Sequence, residues 1–234
     1  MFKILKKMVP LEPRLHSGLG LVRPHDYGFA HKIEIVPIGF SEIVPCSMWY
    51  PVFIAKRGED LGVFVFLGTG ETNLFVNPDG TWKTMVIPNL IRTYPFSVRK
   101  EGDEYVVLVD EEFLREGEGA PLFEGETPTP YLENIRTELT NIALDLEKAG
   151  GFAREVFEAG LLKGLNIHHN FSFGTLTLRN ALTADMQAFI KIQPEKLYHL
   201  NVKGYLSLLF AQNFSLRNLV LFEVFNSFVG TLPF

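Results

Sequence analysis

The sequence has no long apolar run. Its longest uninterrupted hydrophobic stretches are five residues, Val63–Leu67 and Tyr105–Val109, against the ~18–20 that a membrane-spanning helix needs. It has one cysteine, Cys46, which excludes an internal disulfide framework and any multi-cysteine zinc site. It has no Gly-x-Ser-x-Gly elbow and no His-Glu-x-x-His pair, and Gly68-Thr69-Gly70-Glu71-Thr72 lacks the Gly-Lys-Ser/Thr of a phosphate loop. The opening Met1–Lys7 carries the charge of a signal peptide without the ~7–15-residue apolar core that should follow it. A cytoplasmic protein is therefore expected, with export to the cell surface by a signal-independent route as the alternative.

What is present is an ordinary globular composition: 234 residues, 47% hydrophobic and 21% charged. Wholesale disorder is excluded. The charge is unevenly placed. Residues 1–32 carry six Lys/Arg against two acids, and residues 101–133 carry eleven acids against one arginine. No cluster of Lys/Arg with interleaved aromatics appears, so nucleic acid is not an expected partner. Phenylalanine is abundant at 21 residues, and Phe222, Phe225, Phe228 and Phe234 crowd the C-terminal end. That end is either part of a Phe-rich core or an apolar arm that docks on a second copy as a homodimer.

The first half has the pattern of β-structure. His31–Val36 alternates with period two, Tyr50–Ala55 and Leu61–Leu67 flank the turn Arg57-Gly58-Glu59-Asp60, and Tyr105–Val109 is a further strand. Asn77-Pro78-Asp79-Gly80 predicts a turn joining strands at 73–76 and 81–86. The second half changes period: Leu132, Ile135, Leu139, Ile142 and Leu146 line one helix face. Thr129 caps that helix, Pro130 suits its first position and Gly150-Gly151 is expected to end it, with a second helix over 152–162. Strands are expected at 171–178 and 186–192, and a final helix from Asn201 to about Phe225. The fold class predicted is α+β: an N-terminal antiparallel β-sheet or barrel-like half with C-terminal helices packed on it.

Candidate chemistry is sparse. His168-His169 would point to opposite faces of a strand, and no ligand cluster stands nearby. A lone Cys46 is more often a buried hydrophobe than a nucleophile. Neither a metal site nor a cofactor nor a catalytic set is predicted. The one constellation of interest is Glu71, Asn73, Trp82, Arg92 and Tyr94. Glu71 and Arg92 can pair, and the two aromatics can offer stacking faces with polar tips. The alternative is a buried Arg–Glu pair among core aromatics.

These segments also carry a resemblance. His31-Lys32-Ile33, Tyr50-Pro51-Val52-Phe53, Glu71-x-Asn73-x-Phe75-Val76, Gly80-x-Trp82, Ile87-Pro88, Ile91-Arg92 and Tyr94-Pro95-Phe96 occur in an order similar to that of the bacterial SapC family. So do Leu122-Phe123, Pro128-x-Pro130-Tyr131-Leu132 and Gly204-Tyr205-Leu206-Ser207-Leu208-Leu209-Phe210-Ala211-Gln212. The resemblance covers about 31–220, dividing the chain into an N-terminal arm (1–30), a SapC-like domain (31–220) and an apolar tail (221–234). It implies a non-enzymatic protein that binds protein partners in surface-layer biogenesis or a related assembly. The competing expectation is an enzyme or small-molecule binder with a pocket around Glu71, Trp82 and Arg92.

Overall fold

The structure, a computed structural model, describes residues 8–228 and Gly230. In chain order its elements begin with β1 (Met8–Pro10), α1 (Pro13–His16), β2 (Leu19–Leu21), β3 (Ile35–Ile38) and α2 (Ile43–Ser47). A hairpin of β4 (Val52–Arg57) and β5 (Asp60–Phe66) follows, then α3 (Asn89–Arg92) and a second hairpin of β6 (Phe96–Glu101) and β7 (Glu104–Asp110). Four short strands come next: β8 (Leu114–Glu116), β9 (Ala120–Pro121), β10 (Phe123–Glu124) and β11 (Thr127–Pro128). The long helix α4 (Pro130–Glu158) leads to the hairpin β12 (Leu162–Phe171) and β13 (Gly174–Ala184). The chain closes with α5 (Pro194–Val202), α6 (Tyr205–Ser215) and α7 (Leu221–Ser227).

The turns of the β4–β5 and β6–β7 hairpins sit where the sequence supplies a glycine. Gly58 at φ 65 and Gly102 at φ 62 take left-handed positions between Arg57↔Asp60 and Glu101↔Glu104, conformations costly for any side chain. The main sheet has five strands in the order β12-β13-β4-β5-β3, antiparallel at every pairing. Smaller sheets β1-β7-β6, β8-β2-β9 and β10-β11 build the other end. Antiparallel sheets with helices set apart from them make the fold α+β, as expected.

Two hydrophobic cores result. One surrounds the main sheet and includes Val52, Ile54, Val65, Phe75, Phe152, Leu209, Phe222 and Phe225. The other gathers Leu11, Leu21, Phe96, Val109, Leu122, Leu132 and Leu139. Helix α4 serves both: Leu132, Ile135 and Leu139 lie in the smaller core, Ala149, Phe152, Ala153 and Val156 in the larger. Its start is the one expected, with Thr129 Oγ1 accepting from the Leu132 amide at 3.3 Å and Pro130 in the first turn.

Its end is not. The helix runs through Gly150-Gly151 for 29 residues, about 44 Å. A glycine in mid-helix costs roughly 0.5–1 kcal/mol, which is less than burial of Phe152 and Val156 returns at about 1.5–3 kcal/mol each.

Three other expectations change in the same way. Residues 186–192 form a turn with a short 3-10 segment, Ala188–Ile190, rather than a strand. The C-terminal helix is split by Gly204 at φ 74 and by a 3-10 stretch, Leu216–Val220. The predicted turn at 77–80 forms, with Gly80 at φ 83, but its flanks meet only through the Val76↔Trp82 bridge. Among the described residues no helix is long and apolar enough to cross a membrane.

Candidate functional site

The five residues singled out in the sequence divide between core and surface. Trp82 is 5% exposed, and its Nε1 donates to Tyr50 Oη at 3.0 Å and Thr84 Oγ1 at 3.2 Å. Tyr50, wholly buried, also donates to the Val86 carbonyl, and burial raises its pKa. Asn73 is likewise buried: its Nδ2 donates to the Ala30 carbonyl at 3.1 Å and its Oδ1 accepts from the Phe75 amide at 2.9 Å. Tyr94 stacks on Phe29 at 4.1 Å between centroids and donates to Asp110 Oδ2 at 2.6 Å. Glu71 is exposed at φ 61, its amide donating to Glu34 Oε1 at 2.7 Å. Arg92 turns the other way, to Asn89 Oδ1 at 2.9 Å and Glu138 Oε1 at 3.3 Å.

Arg92 lines a cleft. The cleft, of 560 Å³, lies between the exposed face of α4 and the segments around Ser41 and α3. Asn134, Glu138, Asn141 and Asp145 project from α4 at steps of four, three and four residues, so they share one helix face. Ser41, Asn89 and Arg92 stand opposite.

Two carboxylates hold these walls in place. Glu42 is 7% exposed and accepts from the Gly39 amide at 2.9 Å and the Asn89 amide at 2.7 Å, tying the 39–42 segment to α3. Asp145 Oδ2 accepts from the Ser41 amide at 3.0 Å and Ser41 Oγ at 2.6 Å, tying that segment to α4. Gly39 allows the approach: a Cβ there would lie 2.1 Å from Asp145 Oδ2.

Burial raises the Glu42 pKa above 4.5; the two backbone amides and the Arg92 charge oppose the shift, and the Asp145 charge adds to it. Burial and the Glu42 charge also push the Cys46 thiol well up, which keeps it protonated and unreactive. The histidine pair lies on β12, with His168 against Thr177 and His169 packed on Phe171. Among the described residues no group of His, Cys, Asp and Glu is placed to hold a metal ion.

Ser41, Asn89, Asn134, Asn141 and Asp145 of the cleft lining, and Glu42, which braces it, lie outside the constellation read from the sequence. The signal for half of them was there. Asn134, Asn141 and Asp145 fall between the apolar positions that define α4, and a helical projection places them together on one flank of the apolar stripe. The approach of Ser41 and Asn89 is a long-range event with no local signature.

The sequence model of the SapC family matches residues 11–221. That span takes in most of the N-terminal arm as well as residues 31–220, and stops where α7 begins. No curated protein and no solved structure matches the chain.

Proposed function

Because the chain belongs to the SapC family, we propose that it is a non-enzymatic binding protein acting in surface-layer biogenesis or a related assembly. The cleft along α4 is its contact site. The observation that supports this is the cleft's construction: polar side chains on fixed walls, with the nearby carboxylates committed to backbone and serine donors. Such a site recognises by hydrogen bonding. The test is a chromosomal Asn134→Ala/Asn141→Ala variant in the native host, scored for surface-layer protein on the cell. Loss of the layer at unchanged levels of the variant is expected; an intact layer overturns the proposal. Fractionation of the same cells tests the expected cytoplasmic location against the cell surface.

A second reading, a small-molecule binder or enzyme, rests on Arg92 lining a cleft of ligand size. It shifts from the Glu71–Trp82 surroundings, where Trp82 and Asn73 already spend their polar atoms internally, to the face of α4. A thermal-shift screen against metabolites tests this reading, since a ligand at 100 times its dissociation constant adds about 2.7 kcal/mol; no shift with any of them overturns it. A homodimer through the tail would use Val224 on α7, which is 51% exposed, beside Val220 just before it, 72% exposed. Light scattering at micromolar concentration tests it: a mass of 26.5 kDa means monomer.

A further inference from the structure

We infer that the cleft along α4 binds a neutral, hydroxyl-rich ligand, an oligosaccharide. The inference rests on the binding role proposed above and names the chemistry of what is bound.

The lining excludes the other ligand classes in turn. Apolar ligands find one buried aliphatic side chain, Ile142, in an otherwise polar wall. Anions meet one guanidinium, Arg92, already compensated by Glu138 at 3.3 Å, with Asp145 adding a second negative charge. A metal ion would need both carboxylates, yet Asp145 is engaged by Ser41 and Glu138 stands two helical turns away, about 10 Å along the axis.

What is left unspent is hydrogen-bonding capacity, most of it on neutral amides. Among the described residues no protein group takes up the side-chain amides of Asn134 and Asn141, both exposed in the cleft. Arg92 uses Nη2 for its two bonds and keeps Nε and Nη1 without a protein partner among them. An Asn amide offers an acceptor and two donors on one planar group. That suits a hydroxyl, which donates and accepts at once, and a pair of adjacent hydroxyls better still.

Spacing sets the size. Asn134 and Asn141 are seven residues apart, about 10 Å along the axis, a span that more than one sugar ring must bridge. The Glu42 and Asp145 bonds fix the opposite wall before anything binds, so little ordering is left for the ligand to drive.

The full chain is titrated calorimetrically with chitotetraose, cellotetraose and maltotetraose, with sulfated and phosphorylated sugars as controls. Binding of at least one neutral oligosaccharide with a dissociation constant below about 1 mM is expected. Asn134→Leu/Asn141→Leu should weaken it at least tenfold with unchanged melting temperature. Asn134→Asp/Asn141→Asp keeps the side-chain shape while removing the donors and should weaken it too, so the prediction holds even if the leucine variant folds poorly. No binding of any neutral sugar, binding of the charged sugars alone, or binding indifferent to both variants overturns the inference. An oligosaccharide that binds while the surface layer of the Asn134→Ala/Asn141→Ala strain stays intact would sink the assembly role and leave the ligand class standing. A lost layer with no sugar bound would do the reverse.

Discussion

Glu42 shows what a single carboxylate does when folding takes it out of water. Its two backbone partners favour the charged form, but desolvation outweighs them and the pKa sits above 4.5. A group that holds its proton more tightly when folded adds stability below its unfolded pKa and loses that contribution as pH rises through the folded value. Stability should therefore fall as pH climbs upward from about 4.5. Glu42→Gln should flatten that slope. It should also cost about 1–3 kcal/mol, because its NH₂ would face a backbone donor that the carboxylate satisfies. Urea midpoints measured at both ends of the window check this, and an undiminished slope in the variant would assign it to another group. Arg92 is the contrasting case. Its pair with Glu138 leaves the side chains 55% and 41% exposed, so Arg92→Ala should change stability by less than about 1 kcal/mol. A loss of about 3–5 kcal/mol in urea unfolding would instead mark a buried pair.

At the scale of elements, α4 decides how the two cores are joined. Its apolar stripe passes from Leu132 in one core to Val156 in the other, so a break at Gly150-Gly151 would uncouple them. The two glycines differ in surroundings. A Cβ at Gly151 would meet nothing within 4 Å, whereas one at Gly150 would sit 3.1 Å from the Leu61 carbonyl oxygen on β5. Gly151→Ala should therefore stabilise by about 0.4–1 kcal/mol through the unfolded chain. Gly150→Ala should gain less or lose, because β5 must move. Thermal unfolding of the two single variants measures the difference; equal gains would mean that the approach of α4 to β5 is looser than described.

For the whole molecule, the C-terminal segment is a structural part of the larger core. Phe222 and Phe225 are 0% and 1% exposed, packed against Phe75 and Phe171. Polar contacts hold the same segment: Lys83 Nζ donates to the Phe225 carbonyl at 2.6 Å, and Glu223 accepts from the Ser172 amide and hydroxyl at 2.7 and 2.6 Å. Phe225→Ala should cost about 3–5 kcal/mol. Truncation after Leu221 should unfold or aggregate the chain rather than release a folded monomer, since it removes Phe222 and Phe225 from the core and uncovers Phe75. Circular dichroism of the truncated chain gives the answer, and a native-like melting temperature would refute it. Phe234 lies outside the described residues.

Local rules in the sequence determined the α+β class, the hairpins at Gly58 and Gly102, the turn at Gly80 and the cap at Thr129. Each depends on residues within a few positions of one another, where backbone sterics and side-chain period act directly. Chain order alone also carried the family resemblance. Tertiary structure decided the rest. Burial of Phe152 and Val156 carried α4 across two glycines that would stop an isolated helix, and the core drew Asn73 and Trp82 away from any surface role. It also set Arg92 beside Asn89 and Glu138, 46 residues along the chain from Arg92, to form one wall of the cleft. Contacts at that separation are fixed by how the elements pack, and a linear sequence records no such distance.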